Sequence, residues 1–303
     1  MEQKTKKVLL VINPLAGAGL NRTDAEKIIE SISSQCADTE VFEFEPETAL
    51  IPRKKLPENN DANLVISCGG DGTFNQVVSQ YLKPGSLPYF AHIPLGYTNS
   101  FARANGIPFD TKDAVDTALN GRLAKRDAGM VNGRRFVFVA SFASASSLNY
   151  VTSQQMKSVF EYAIHMLRAV GELHMNIGTS FHLKAETDNG SLDDEFIFGA
   201  ISNLSSIDGE ILSNDSFSND DGKMELLLIK TPKDRAETVA VMDVLRNDSV
   251  DHPLIMTMKI SKASFVTDSK IAWSLDGEFG GTSVESAVEV LKEALTVKVP
   301  KTE

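Results

Sequence analysis

The chain has 303 residues, of which 42% are hydrophobic and 23% are charged, a composition typical of a globular protein with room for two domains. Its formal net charge of -11 argues against a nucleic-acid partner, so any membrane contact must be local and largely apolar. No apolar stretch approaches the roughly 18 residues of a membrane span, so we expect a cytoplasmic protein that is soluble or at most peripheral. The two cysteines, Cys36 and Cys68, show no metal-ligand spacing and suit a reducing compartment.

The first 125 residues alternate between strand and helix patterns. An apolar run, VLLVIN, follows a short basic start, and we interpret it as a first strand rather than a signal peptide. The later patterns predict helices at 23–32, from 74 onward and at 113–121, and strands at 41–44, 63–68 and 89–94. This alternation predicts an open α/β sheet of parallel strands that binds ligands at the carboxyl ends of the strands.

After residue 127 the rhythm changes to short strands separated by Asn, Asp, Gly and Ser. The predicted strands are 134–142, 180–187, 196–202, 224–230 and 256–267. Their spacing indicates an antiparallel, sandwich-like second domain. Near the end, SVESAVEVLKEAL (283–295) predicts a helix and TVKV a last strand. We therefore expect an α/β protein with an α/β domain at 1–128, a β-rich domain at 129–282, and a segment, 283–303, that returns to the first domain.

One helix, at about 154–173, interrupts the second domain. Its apolar residues recur at helical spacing, with Tyr162 and Met166 widening the stripe: Met156, Val159, Phe160, Ala163, Ile164, Leu167 and Val170. Such a stripe most often packs on a sheet. The alternative is a helix that caps a lipid cleft or touches the bilayer.

The most informative stretch is NLVISCGGDGTFNQVVS, where a buried strand ends at Gly69-Gly70-Asp71-Gly72-Thr73 and a helix begins. Glycines allow backbone N–H groups to approach a ligand closely, and a helix N-terminus favours anions. Asp71 would repel a bare phosphate unless it holds Mg²⁺ or accepts a proton. The simpler interpretation is a tight turn with Asp71 as the helix cap.

Two more glycine-bearing loops follow predicted strands, NPLAGAG at 13–19 and IPLGYTNSFAR at 93–103. If the three strands are parallel, these loops and the GGDGT loop gather at one edge of the sheet. This convergence favours a nucleotide site over three unrelated turns. Walker and dinucleotide-binding motifs are both absent from the sequence.

In this order and spacing, NPLAGAG, GGDGTFNQVV and IPLGYTNSFAR resemble the diacylglycerol kinase catalytic family of lipid kinases. Four later segments are also similar to that family: RDAG (126–129), RFVF (135–138), NDDGKM (219–224) and LDGEFGG (275–281). Among them, the DDG and DGEFGG sequences most resemble the soluble enzymes of Gram-positive bacteria. The resemblance covers nearly the whole chain, and it implies that the domain at 1–128 binds nucleotide and the domain at 129–282 binds lipid.

The resemblance implies roles for particular residues. It assigns ATP binding to the first loops, at Asn13, Pro14, Gly17, Gly70, Asp71, Gly72, Thr73 and Asn75, with Thr98 from the third loop. Asp71 would lie beside the phosphates and a catalytic Mg²⁺. Glu278 would be the general base that deprotonates the lipid hydroxyl, with the active site in the cleft between the two domains. The alternative for Glu278 is a simple hairpin-turn residue.

The family also has a structural Mg²⁺, which the resemblance assigns to the Asp221 carboxylate and backbone carbonyls near Ser218 and Lys223. A plain polar hairpin loop is the rival interpretation. Asp127 matches a carboxylate that organises the site, for which we expect an indirect role, and a strand-start turn is the alternative. His92, in a buried-looking strand, is expected to be structural.

Two departures concern phosphate-facing hydroxyl groups. Tyr97 stands where the family has Thr in G-T-x-N, so either Thr98 takes over after a small backbone shift or Tyr97 offers its own hydroxyl. Ala16 stands where Ser is usual.

The expected function is that of an ATP- and Mg²⁺-dependent lipid kinase of phospholipid metabolism, converting diacylglycerol into phosphatidic acid. Rival acceptors are another glycerolipid, a sphingoid base or NAD, since NAD kinases share the GGDGT loop. A rival of another class is a catalytically weak nucleotide- or lipid-binding protein. Transient contact with the inner face of the membrane and a homodimer are implied by resemblance, and no nucleic acid is expected.

Overall fold

The structure is a computed structural model. It describes residues 7–17, 19, 21–44, 55–58, 61–82, 88–97, 99–145, 180–202, 220–247, 249–276 and 278–301. The predicted helix at 154–173 and its apolar stripe lie outside these residues.

The chain divides into two compact units. The first comprises residues 1–126 and 293–303, and the second comprises residues 127–292. The divisions predicted from the sequence fell at 128/129 and 282/283, and the roles assigned to those domains stay predictions. The α/β class and a two-part organisation were both expected.

The first unit alternates strands and helices in chain order. Its elements are β1 (Val8–Ile12), α1 (Arg22–Ser33), β2 (Thr39–Glu43), β3 (Leu64–Gly69), α2 (Asp71–Tyr81), β4 (Tyr89–Pro94), α3 (Ser100–Ala104) and α4 (Thr111–Asn120). Hydrogen bonds order the strands β2-β1-β3-β4, all parallel. Every residue of β1 and β3 is buried, as expected for parallel strands covered on both faces.

Local signals explain where the helices of this unit begin and what they cover. The Asn21 side chain accepts a hydrogen bond from the Asp24 N–H at the start of α1, and Asp110 accepts from Lys112 and Asp113 at the start of α4. Ile28 and Ile32 of α1 join the core formed by β1, β3, β4 and α4. The helices therefore bury apolar faces against the sheet.

The second unit is built mainly of antiparallel strands. Its elements are β5 (Arg122–Val131), which begins in the first unit, β6 (Arg134–Phe136), β7 (Val139–Ser144), β8 (Phe181–Thr187), β9 (Gly190–Ser202), β10 (Met224–Lys230), α5 (Arg235–Arg246), β11 (Ile255–Ile260), β12 (Lys262–Leu275) and β13 (Glu278–Val299). The pairing runs β11-β10-β9-β7-β12-β13, and β8 pairs with both β9 and β12. Trp273 and Phe142 lie at its aromatic core, with ring centroids 4.5 Å apart. The sandwich-like arrangement stays a prediction.

The helix predicted at 283–295 is wrong, because these residues belong to β13. Ser286, Val288 and Val290 are buried in alternation with more exposed neighbours, and β12 pairs with this stretch from Lys262↔Glu289 to Leu275↔Glu278. The sequence carries both a period of two and a helical period here, and the long antiparallel partner decides between them.

Sequence reasoning also missed α5. Its signal was present in the spacing of Asp234 and Glu237. Asp234, the N-cap, accepts from the Glu237 N–H at 2.9 Å, and the Glu237 carboxylate accepts at 2.7 Å from the N–H of Lys233, one residue before the cap. Thr238, Val241, Met242 and Leu245 then form its buried face.

Candidate functional site

The loops that follow β1, β3 and β4 lie together at one edge of the first unit's sheet. Since the three strands are parallel, their carboxyl ends meet there. Main-chain hydrogen bonds join the loops: the Asn13 N–H donates to the Cys68 carbonyl at 2.9 Å, and the Leu95 N–H donates to the Gly69 carbonyl at 2.7 Å. The structure thus brings together the three motifs singled out in the sequence.

Two glycines in these loops are required by packing. A Cβ added to Gly17, whose φ is +59°, would lie 2.2 Å from the Leu95 carbonyl oxygen. A Cβ added to Gly96 would lie 2.7 Å from the Gly70 Cα. Both contacts are with backbone atoms that cannot move aside, so these glycines allow the loops to touch.

Gly72 differs from these two glycines. It is the second residue of α2, its φ is not positive, and a Cβ there would meet nothing within 4 Å among the described atoms. Glycine costs an α-helix about 1 kcal/mol relative to alanine, so local structure gives no reason for it. A glycine that neither packing nor backbone angle requires is consistent with close approach by a ligand.

Asn13 and Thr73 join the first loop to the start of α2. The Asn13 Nδ2 donates to the Thr73 Oγ1 at 2.9 Å, and Thr73 is buried. A hydroxyl that accepts such a bond can still donate its own hydrogen to a further acceptor. Asn75, also expected to bind nucleotide, is buried and accepts from the Ser79 Oγ at 3.0 Å within α2.

Asp71 is the first residue of α2, but it does not cap that helix. The N-cap of α2 is Gly70, which makes no side-chain cap bond. Instead the Asp71 Oδ1 accepts from the Phe101 N–H at 2.9 Å, at the start of α3. Asp71 therefore bonds a main-chain N–H in the first turn of α3 instead of capping α2. This hydrogen bond places the carboxylate where the loops meet.

His92 lies beneath these loops, as expected for a structural residue. Its ring is buried beside Phe74 and Phe101, with centroids at 5.0 and 6.3 Å, and its nitrogens have no hydrogen-bond partner among the described residues. Burial lowers the pKa of His92 to about 4, although the Asp71 carboxylate and the Ser67 backbone oppose the shift. The ring is therefore neutral near pH 7.

The third loop contains Asn99, a residue to which the sequence motifs assign no role. Asn99 bonds both main-chain groups of Gly96 with its side chain, and its own backbone is left-handed, with φ 49°. Thr98, the expected nucleotide contact, lies outside the described residues. Tyr97 is 74% exposed.

In the second unit, Glu278 is the first residue of β13 and pairs in register with Leu275. Its role as the base stays a prediction. Asp276, just before it, was also missed: its carboxylate accepts from the N–H groups of Val137, Phe138 and Val139 at 2.7, 2.9 and 2.7 Å. These bonds divide the predicted strand 134–142 into β6 and β7.

The expected structural metal site stays a prediction as well. Ser218 lies outside the described residues, the Asp221 Oδ1 accepts from the Lys223 N–H at 2.8 Å, and the Lys259 Nζ lies 4.0 Å from the Asp221 Oδ2. Asp127 is buried, and its Oδ2 accepts from the Gly222 N–H at 2.6 Å, so it holds this turn. Among the described residues no group of three or more His, Cys, Asp or Glu side chains is placed to hold a metal.

A parallel sheet with interlocked glycine loops at its carboxyl edge is typical of the class of α/β proteins that bind phosphate-bearing ligands. Residues 7–131 match the family model described as the diacylglycerol kinase catalytic domain. For these residues the match supports the family resemblance recognised in the sequence.

Individual known proteins resemble the chain over nearly its whole length. A diacylglycerol kinase of Bacillus subtilis is 27% identical over 279 residues, which are 91% of each chain. In fold, the chain is similar to a candidate diacylglycerol kinase of Bacillus anthracis, with a TM-score of 0.74, 21% identity and 98% of each chain covered. An NAD kinase of Archaeoglobus fulgidus, solved with ATP, has a TM-score of 0.54 at 10% identity, covering 97% of this chain and 94% of that one.

None of the described helices is long and apolar enough to cross a bilayer.

Proposed function

We propose that this protein transfers the γ-phosphoryl group of ATP, with Mg²⁺, to the hydroxyl of a lipid, and that the acceptor is diacylglycerol. In this reaction the acceptor oxygen forms a bond to the γ-phosphorus while the bond to the bridging oxygen of ADP breaks. The hydroxyl proton passes to a base, and the products are phosphatidic acid and ADP.

The interlocked loops carry this proposal. Gly17, Gly70 and Gly96 allow three strand ends to meet, and Gly72 is a glycine that neither helix propensity nor packing requires. This edge lies within residues 7–131, which match the catalytic domain. Backbone N–H groups at the start of α2 and the Asn13–Thr73 pair then supply donors for phosphate oxygens.

Asp71 suits a magnesium ion that arrives with the nucleotide. Mg²⁺ in such sites is held by one or two carboxylates together with the phosphates, so a single protein carboxylate at the loop edge fits. When bound, the ion would neutralise charge on the phosphoryl group. Asp71 is oriented by the Phe101 N–H, and the buried His92 ring near it is neutral near pH 7.

Glu278 is the proposed base, and Ser218, Asp221 and Lys223 are the proposed structural metal site. The same proposal includes transient contact with the inner face of the membrane, where diacylglycerol resides, and leaves room for a homodimer.

Phosphoryl transfer from ATP to dispersed diacylglycerol tests the proposal, with NAD and a sphingoid base as rival acceptors. We expect Asp71→Asn to lower kcat by roughly 100-fold or more, because it weakens stabilisation through the metal by about 3 kcal/mol. Glu278→Gln should lower kcat by about 100-fold or more, as expected for the loss of a general base.

Matched controls are Asp113→Asn, which removes a first-turn acid of α4, and Glu289→Gln, which changes another β13 carboxylate. Both should retain activity. Turnover with NAD and with no lipid would show that the acceptor is a nucleotide and would contradict the proposed lipid acceptor. ATP binding without turnover on any acceptor would indicate a nucleotide-binding protein instead.

A further inference from the structure

The side chain of Asn99 folds back onto the main chain of a single residue. Its Oδ1 accepts from the Gly96 N–H at 2.8 Å, and its Nδ2 donates to the Gly96 carbonyl at 2.8 Å. Asn99 is only 7% exposed, and its φ of 49° and ψ of 45° lie in the left-handed region, which asparagine tolerates better than most residues. A carboxamide offers a donor and an acceptor side by side, so this side chain satisfies both groups of Gly96 at once.

Gly96, held in this way, lies against the residue that precedes Asp71. The approach is between backbones, because a Cβ on Gly96 would lie 2.7 Å from the Gly70 Cα and 2.8 Å from the Asn99 Oδ1. The conformation of Gly96 therefore determines how closely the third loop packs against the GGDGT loop.

On the other side of Asn99, the chain enters α3. Two residues on, the Phe101 N–H donates to the Asp71 Oδ1 at 2.9 Å, and the Phe101 ring packs on Phe74 of α2 with centroids 4.2 Å apart. The third loop thus makes two contacts near Asp71. Gly96 packs on the main chain of Gly70, and the Phe101 N–H bonds the Asp71 carboxylate. Asn99 lies between Gly96 and Phe101 in the chain.

We propose that Asn99 is a positioning residue for Asp71. By holding Gly96 against Gly70 and directing the first amides of α3, it orients the carboxylate. Its catalytic consequence rests on the proposed function, whereas the structural link between Asn99 and the Asp71–Phe101 bond does not.

The structural link is tested by amide hydrogen exchange, followed by NMR on nucleotide-free protein. Asn99→Gly permits the same φ but removes both side-chain bonds, and Asn99→Asp sets a carboxylate oxygen against the Gly96 carbonyl. We expect the Phe101 amide to exchange at least about tenfold faster in both variants and in Asp71→Ala, while amides of α4 stay protected. Unchanged exchange at Phe101 in the Asn99 variants would overturn the proposal.

Asn132→Gly is the matched control. Asn132 also has φ 49° and also bonds main chain with its side chain, since its Oδ1 accepts from the Ala287 N–H at 2.8 Å, but it belongs to the second unit. This variant should leave Phe101 exchange and turnover unchanged, because it removes a left-handed asparagine that is not part of the three loops.

The catalytic consequence is tested by a double-mutant cycle. Asn99→Gly should lower kcat by about 100-fold, the effect expected of a misplacement of about 1 Å, with the KM for ATP within about threefold. In the Asp71→Asn background the same change should cost less than about threefold, because the group it positions is already lost. If the kcat of the double variant fell by the product of the two single losses, Asn99 would act independently of Asp71 and the proposal would be contradicted. A native chain with no turnover on any acceptor would refute the proposed function, while the exchange experiment would still decide the structural link.

Discussion

At the residue scale, the glycines of the three loops have different physical roles. Gly17 and Gly96 are required because neighbouring backbone atoms occupy the space where a side chain would begin, whereas Gly72 faces open space among the described atoms. The sequence has glycine at all three positions. Only the neighbouring atoms in the structure show which glycines are needed for packing and which one leaves space for a ligand.

This difference predicts opposite outcomes for two alanine substitutions. Gly17→Ala should lower the free energy of unfolding by about 2 kcal/mol or more, because it combines a positive φ with a 2.2 Å backbone contact. Gly72→Ala should leave stability unchanged or raise it by about 1 kcal/mol, yet weaken ATP binding at least about tenfold. Urea unfolding and calorimetric titration with Mg·ATP measure the two effects. Unimpaired ATP binding by Gly72→Ala would contradict the assignment of this loop to phosphate.

At the element scale, Asp276 connects the end of β12 with the gap between β6 and β7. Three consecutive N–H groups, from Val137 to Val139, donate to its carboxylate. This single side chain therefore replaces the strand hydrogen bonds that are lost where the predicted strand divides, and it lies two residues before Glu278.

Asp276→Asn should lower the free energy of unfolding by about 2 kcal/mol, because an amide NH₂ would face an N–H donor. Asparagine tolerates the φ of 49° at this position, so the change isolates the hydrogen bonds from backbone strain. Chemical denaturation provides the measurement, and exposed Asp251→Asn is the control, expected within about 0.5 kcal/mol of the native chain. Equal stability of the two variants would show that the three bonds contribute little.

The β8–β9 pair carries a pH-sensitive cluster. His182 contacts the Asp193 Oδ1 at 2.5 Å and the Glu195 Oε1 at 3.1 Å, and Lys184 lies 3.4 Å from Asp193. Hydrogen bonds with Asp193 and then Glu195 raise the pKa of His182 above its ordinary value near 6.5. The charged ring therefore stabilises the folded state below about pH 6.5, and this contribution is lost as the pH rises through the raised pKa.

We accordingly expect His182→Gln to lower the urea midpoint more at pH 6 than at pH 9. The direction follows from the raised pKa, since the native ring holds its proton more tightly than the unfolded one. In a chain that already carries Asp193→Asn and Glu195→Gln, the His182 substitution should lose this pH dependence. A midpoint difference that is the same at both pH values would contradict the ion-pair interpretation.

At the scale of the whole molecule, the last residues complete the first unit. Leu295, Val297 and Val299 are almost fully buried, Val297 pairs in parallel with Phe90 of β4, and the Lys298 Nζ donates to the Gly121 carbonyl at 2.8 Å. The first unit is thus discontinuous in sequence.

Removal of residues 293–303 should prevent cooperative unfolding of the first unit. Burial of three such aliphatic side chains contributes roughly 5–8 kcal/mol, comparable to the whole stability of many domains. Circular dichroism during urea titration of residues 1–126, alone and fused through a flexible linker to 293–303, measures the effect. Removal of 301–303 only is the control. Cooperative unfolding of 1–126 alone would contradict the prediction.

The sequence by itself determined the parallel strands, the three loops at their ends, and the resemblance to the diacylglycerol kinase catalytic domain. These features depend on residues close together in the chain, namely apolar runs that end at glycine and motifs of a few residues. They could therefore be recognised before any contact was known, and the elements at 8–12, 63–81 and 89–94 lie close to where the pattern predicted them.

Only the tertiary structure decided what depends on partners distant in the chain. Residues 283–295 form a strand because β12 pairs with them, Asp71 is held by an amide thirty residues away, and residues 293–303 return to a unit that ends at 126. The Asn99–Gly96 bonds span only three residues, but they require a left-handed backbone that composition does not reveal. Local periodicity is compatible with more than one structure in such places, and the choice is made by hydrogen bonds and burial that form only when the chain is folded.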